Sequence, residues 1–183
     1  TELAFKMMVW SAEYNTKNWK FVGEAMPHSV QIKNSLNGLD FDTDSYSYYL
    51  QATYRFFPDW EVSLRRSRYV FDESDKNGEQ LEQLLTQQGQ QVLAMVNQNP
   101  ALLQIPEFAE LVSQVSSQNL SGDSAYSKTW MLGLGWHISS SMLMRLEYYD
   151  ITGTSWIPNS DLNTNESTNR DWNMLIMQFS YRF

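Results

Sequence analysis

The last nine residues of the chain, LIMQFSYRF, place Leu175, Met177, Phe179, Tyr181 and Phe183 at every second position, with Ile176, Gln178, Ser180 and Arg182 between them. Extended backbone turns successive side chains to opposite faces, so the segment predicts a strand with one apolar and one mostly polar face. The pattern recurs upstream. SMLMRLEYYD sets Met142, Met144, Leu146 and Tyr148 against Leu143, Arg145, Glu147 and Tyr149. TWMLGLGWHI sets Trp130, Leu132, Leu134, Trp136 and Ile138 against Met131, Gly133, Gly135 and His137. SYSYYLQATYRFF sets Tyr46, Tyr48, Leu50, Ala52, Tyr54 and Phe56 against Ser47, Tyr49, Gln51, Thr53 and Arg55. Three segments are less regular: NWKFVGEAM alternates Trp19, Phe21 and Ala25 with Lys20, Val22 and Glu24, and LAFKMMVWSAEY is apolar on both faces. WEVSLRRSRYVF starts with Val62 and Leu64 against Glu61, Ser63 and Arg65, then carries Arg66 and Arg68 on its apolar side. A charge at mid-membrane costs about 2–4 kcal/mol, so either the strand has left an apolar medium by Arg66 or a bulge near Arg65 and Arg66 flips its parity.

Mean hydropathy of −0.47 and a formal charge of −8 read, as averages, like a soluble acidic domain. Averages conceal alternation, since a membrane-crossing strand needs only about 9–11 residues with half of them apolar. The 7 Trp, 10 Tyr and 9 Phe residues are the more telling count, because closed membrane sheets carry aromatic girdles at both interfaces. No run of about 18 apolar residues exists, which excludes a transmembrane helix. Thr1 falls inside a candidate strand, so no signal peptide is read. The absence of cysteine fits an oxidising compartment, and the negative charge argues against a nucleic-acid partner.

The connections alternate between two kinds. NTKN, PD and ISSS are short turns, whereas IKNSLNGLDFDTD, a stretch of about 55 residues and another of about 20 from Ile151 to Arg170 are long. Turns on one side and loops on the other is how outer-membrane barrels are built, turns periplasmic and loops extracellular. Aromatics follow the same division: Tyr14, Trp19, Phe56, Trp60, Trp136 and Phe183 near the turns, and Tyr46, Tyr48, Trp130, Tyr148 and Trp172 near the loops. The reading is therefore all-β: a transmembrane antiparallel β-barrel, with strands over 1–75 and 126–183 and a helical extracellular insert over 76–125. Seven strands in alternating direction cannot close first to last by antiparallel pairing, so the expectation is the C-terminal part of a larger barrel of roughly 12–18 strands. A soluble sandwich explains neither the girdles nor the loop asymmetry.

The wet faces place Lys20, Glu24, Gln51, Arg55, Glu61, Arg65, Arg145, Glu147, Gln178 and Arg182 in an aqueous lumen. Opposed rows of charge there would set up a transverse field, or pair across strands to brace the wall. Arg65, Arg66 and Arg68 form the densest basic group and would collect anions if they reach the channel mouth. In the insert, Leu81, Leu84, Leu85, Val92 and Met95 follow helical spacing, as do Ile105, Phe108, Leu111, Val112 and Val115. Asn97 to Pro100 suits a break between helices and Pro106 a first turn. Two such helices bury their stripes against each other, making a lid; alternatively Leu81, Leu85, Phe108 and Leu111 dock a surface partner. Catalysis finds little support. His137 and Ser139 have the spacing of a lipase pair, but at a turn and with His137 on the wet face; His28 stands beside Pro27, and no metal-ligand cluster, phosphate loop or nucleophile motif is found.

AEYNTKNWKFVGEAM, SYYLQATYRFFPDWEVSLRRSRY, LEYYD and the terminal QFSYRF resemble the C-terminal strands of Gram-negative porins, especially larger trimeric types such as the phosphate-selective and related substrate porins. The resemblance covers about 130 residues and omits the insert. It implies a bacterial outer-membrane location among lipid and lipopolysaccharide, a homotrimer, no cofactor, and a passive channel for small hydrophilic solutes and ions. It further implies that Phe179, Tyr181 and Phe183 are read by the barrel-assembly machinery, and that N-terminal strands of the same barrel complete the wall. The competing expectation is a sealed barrel acting as a surface platform for a lipoprotein, phage or other partner.

Overall fold

The computed structural model describes residues 2–34, 39–106, 108, 109, 112, 121–157 and 169–183. Its elements are β1 (Glu2–Met7), β2 (Trp10–Asn15), β3 (Trp19–Asn34), β4 (Leu39–Phe57), β5 (Trp60–Val70), α1 (Glu79–Gln98), β6 (Tyr126–Ser139), β7 (Met142–Thr152) and β8 (Asp171–Tyr181). The strands form one antiparallel sheet ordered β1-β3-β4-β5-β6-β7-β8, with β2 also on β3. From β2 onward each strand therefore pairs with its sequence neighbour in a meander, while β1 lies end to end with β2 along β3.

The first predicted strand is present as two segments in one register, Met7 opposite His28 and Trp10 opposite Ala25. Between them the Met8 N–H donates to the Pro27 carbonyl at 3.0 Å, and Pro27 has no N–H to return. Half of one ladder rung is missing, which splits the strand without bending its course.

The long loop expected around IKNSLNGLDFDTD is largely sheet. β3 and β4 run on to the pairs Lys33 with Asp40 and Asn34 with Leu39, so the hairpin extends well beyond the apolar stretch of either strand. Asn37 lies outside the described residues.

Nor is there a bulge at Arg65 and Arg66. Register runs unbroken from Glu61–Arg55 to Val70–Tyr46, and irregularities fall at the turn ends instead, between Arg55 and Phe57 and between His137 and Ser139. Arg65 thus faces with Glu61, while Arg66 and Arg68 face with Leu64. The three arginines do not form one group.

Among the described residues the largest fully buried side chains, Val70, Met131, Ile151 and Thr129, gather toward the loop end. Met131, Tyr149 and Ile151 pack with Trp172 and Met174 on the otherwise polar face. Trp172 donates its indole N–H to the Gly153 carbonyl at 3.0 Å, so it faces inward and is no part of the loop-side girdle.

The insert leaves the sheet through a tight neck. Phe71 N–H donates to the Ala125 carbonyl at 2.8 Å, and Ser45 Oγ bonds the Phe71 carbonyl. Gly78, at φ 73°, lies against Gly122 so closely that a Cβ on either would overlap the other's backbone. Asp75 caps α1 by accepting from Leu81 N–H at 2.9 Å. The covered stripe of α1 is Leu81, Leu85, Gly89, Val92 and Val96, with Gly89 and Val96 buried, whereas Leu84, Leu93 and Met95 are exposed. This corrects the expected stripe at two positions, because Leu84 and Met95 stand on the outer side of a helix whose inner side closes on Gly89. A short 3-10 turn over Pro100–Gln104 follows; Phe108 and Val112 are half-buried, and Leu111 and Val115 lie outside the described residues.

Candidate functional site

The polar face is organised around Glu61. Its carboxylate lies 3.3 Å from Arg145 Nη2 and 3.7 Å from Arg55 Nη2, and His137 Nε2 stands 3.5 Å away without hydrogen-bonding it. Arg145 stands on β7 and Glu61 on β5, so the pair must reach across β6. It does so over Gly135, directly paired with both residues, where a Cβ would lie 2.8 Å from Glu61 Cγ. Gly133 makes the same concession to Ser63, whose Oγ would lie 2.4 Å from an added Cβ. The Gly-Leu-Gly spacing in β6 is thus a groove in which side chains of the flanking strands meet.

The network continues from Arg145 Nε to Glu147 Oε1 at 3.9 Å and from Tyr149 OH to Glu147 Oε2 at 2.6 Å. Toward β2, Lys20 Nζ lies 3.0 Å from Glu13 Oε2. Arg65 has no carboxylate within ion-pair reach among the described residues; it donates from Nε to Gln51 Oε1 at 2.7 Å and its guanidinium lies 5.1 Å from the Tyr49 ring centroid. Lys20, Gln51, Arg55, Glu61, Arg65, Arg145 and Glu147 all line one polar recess of ≈ 440 Å³. Glu24 stands apart from it, with Ser11 Oγ and Tyr49 OH both at 3.4 Å. Gln178 is paired with Arg145 in register but contacts Ser180, and Arg182 lies just beyond β8, its N–H on the Ser141 carbonyl at 2.9 Å. His28 and Asp150 are on β3 and β7, too far apart in the sheet to act together.

Sequence reasoning passed over Gly133, Gly135, Ser63 and Trp156. The two glycines carried a legible signal, since a wet-face Gly-x-Gly beside bulky neighbours marks a close approach. Trp156 carried none: it comes from the loop after β7 and donates to Ser127 Oγ at 3.0 Å, over the polar face of β6.

The opposite face is apolar and exposed: Met177 73%, Leu175 66%, Tyr14 66% and Trp10 65%. Trp60 stacks on Trp136 at 5.3 Å and Trp19 on Phe21 at 5.5 Å near the turns. One row of directly paired residues crosses the whole sheet: Tyr14, Phe21, Ala52, Leu64, Leu132, Tyr148 and Leu175. On β2 the apolar positions begin at Tyr14 and climb toward the loops through Ala12 and Trp10, and on to Met8 just ahead of the strand. On β8 they begin at Leu175 and descend toward the turns through Met177, Phe179 and Tyr181. The apolar band is therefore displaced by about 20 Å along the strands while it crosses about 29 Å of sheet, an obliquity of about 35°. Strands in closed membrane barrels are tilted by about 35–45°.

Above the band, Tyr126 is buried in the neck and donates to Asp123 Oδ1 at 3.0 Å. Burial first, and Asp123 second, push its phenol up to about 12. Among the described residues no His, Asp and Glu side chains gather as a metal-ligand set, and no helix is long and apolar enough to cross a membrane.

No protein-family model matches the sequence, and no curated protein matches it. By fold the chain is similar to a solved structure described as NanC porin in a rhombohedral crystal form, with a TM-score of 0.50 and 11% identity. The likeness covers 99% of this chain and 63% of that one. The fold is thus porin-like: an antiparallel all-β sheet with a helical insert.

Proposed function

We propose that this porin-like sheet is part of the wall of an outer-membrane channel through which small hydrophilic solutes and ions diffuse passively. The oblique apolar band carries the reading. A soluble sheet has no reason to expose an apolar face that shifts along its strands between one side of the sheet and the other, whereas a tilted wall in a lipid layer requires it. The face behind that band is charged and braced, as water contact demands. Turns around Asn15, Pro58 and Ser140 are then periplasmic and the insert extracellular. An open sheet edge cannot remain in lipid, so β1 and β8 pair with further strands to close the barrel.

In planar bilayers the full-length protein is expected to give stable conductance steps; insertion without any solute flux would refute the channel. A second reading, a docking platform, is favoured by Leu84, Leu93 and Met95, which α1 leaves exposed. Replacing residues 77–123 by a short Gly-Ser connection separates the roles, because loop shortening leaves the β5–β6 ladder able to pair. A lid raises conductance when removed; a platform leaves conductance unchanged and abolishes capture of a surface partner.

A further inference from the structure

Three cations stand on the apolar face at its loop-side margin. Arg68 is directly paired with Lys128, and Arg66 with Trp130, whose ring centroid lies 4.7 Å from the Arg66 guanidinium carbon. None has a carboxylate within ion-pair reach among the described residues. What holds them is neutral. Arg68 Nη2 donates to the Lys76 carbonyl at 3.3 Å, and Lys128 Nζ donates to Asn77 Oδ1 at 3.0 Å while lying 5.0 Å from the Tyr126 ring centroid. Arg68 Nε is buried without a hydrogen-bond partner. Both arginines, and Arg170, are near enough to Lys128 to repel its charge. Acids facing the same way are Asp150, across Trp130 from Arg66, Asp171, engaged by Thr152 at 2.8 Å and Arg170 at 3.4 Å, and, farther toward the loop end of β4, Asp44 and Asp42, the latter accepting from Gln31 at 2.9 Å.

In a chain of net charge −8, three neighbouring cations without an acidic partner form a site for an external anion. Beside Arg66, along the rung that runs through Leu50 to Gly23 and Ala12, the apolar face carries an open recess. Ala12, Gly23 and Ala52 leave a recess of ≈ 550 Å³, walled by Leu50 and Trp130 and reached by Arg66 at its rim. Ala12 and Gly23 are directly paired on one rung, where Gly23 faces Leu50, and Ala52 stands one rung nearer the turns opposite Phe21. A cationic rim over an apolar slot fits an amphiphile with an anionic head, and the level of the rim is that of lipid headgroups.

We propose that Arg66, Arg68 and Lys128 bind the phosphate of a phosphomonoester-bearing membrane lipid, of the lipid A kind, with an acyl chain in the recess lined by Gly23. This rests on the membrane reading above. Phosphate supplies the charge that the strands lack, and the guanidinium forks match its oxygens.

The test uses the full protein in phosphatidylcholine nanodiscs supplemented with lipid A or with its dephosphorylated form of identical acyl composition, bound lipid being counted by native mass spectrometry. Wild type prefers the phosphorylated lipid at least tenfold. The Arg66→Gln, Arg68→Gln, Lys128→Gln variant loses the preference, while Arg66→Lys with Arg68→Lys retains most of it, and Arg170→Gln leaves it unchanged. Gly23→Leu, which fills the slot but keeps the cations, weakens retention of both lipids. Inserted protein without preference, or an unchanged triple-Gln variant, overturns the site and spares the channel. Competition by millimolar inorganic phosphate overturns the lipid as its ligand. Failure of wild type to enter any bilayer overturns both.

Discussion

Leu64 and Leu175 belong to one row of paired residues and to one face, yet an oblique band puts them at different depths. β5 lies midway between β2 and β8, so Leu64 is near the middle of the band, whereas Leu175 is its loop-side limit. Three strand spacings, about 14 Å, inclined by about 35°, separate them by about 8 Å of depth. Arginine on the lipid face of a barrel costs about 2–4 kcal/mol at the midplane and about 0–1 near the interface. Leu64→Arg should therefore destabilise the protein by about 2–3 kcal/mol more than Leu175→Arg, roughly a 30- to 150-fold difference in the folding equilibrium. Both leucines are exposed, at 49% and 66%, so packing losses are small beside the electrostatic term. Because Leu64 is near Arg66, Leu132→Arg is the companion, its same-face neighbours Trp130 and Leu134 being uncharged; it should fall just below Leu64→Arg. Urea titration of the protein folded into lipid bilayers reads the three values. Equal costs along the row would mean strands upright in the layer, and a larger cost at Leu175 would mean the reverse inclination; either refutes the band.

Gly135→Val should displace Glu61 from Arg145, costing about 1–3 kcal/mol by urea titration and altering ion selectivity, since the added carbon falls where the Glu61 side chain crosses β6; an unchanged urea midpoint would contradict the crossing. Phe183→Asp should cut outer-membrane yield in cells yet leave refolding into detergent unaffected, because Phe183 is wholly exposed beyond the end of β8; equal yields would dismiss its assembly role. Cysteine at Gln90 should react with an impermeant reagent on whole cells and cysteine at Pro58 should not; the opposite pattern would invert the sheet. Tyr126 has a folded pKa raised to about 12, so its contribution to the neck is complete below about pH 10 and is lost as pH rises through 12. Protease cleavage within residues 71–125 should climb over that window in wild type and not in Tyr126→Phe.

Most of the sheet is legible in single strands because a strand's two faces are set by position parity, and parity survives any curvature or tilt. Leu132 and Arg145 could be assigned to opposite faces from TWMLGLGWHI and SMLMRLEYYD alone, as could Phe179 and Gln178. The same local rule failed wherever a neighbour decides. Arg66 and Arg68 looked misplaced because a strand read alone cannot include Trp130 and Lys128, which the register sets beside them. Trp172 reads as a girdle residue by composition, yet its indole turns to the Gly153 carbonyl on the inner side. Hairpin length around Asn34 and Leu39 depends on cross-strand pairing, which continues where local apolar alternation has ended. Glu61 meeting Arg145 over Gly135 depends on three strands at once, and the obliquity of the band on seven. Side-chain alternation is a property of the backbone and can be read from one strand. Register and inclination arise from pairing between strands, so they exist only once the sheet is assembled.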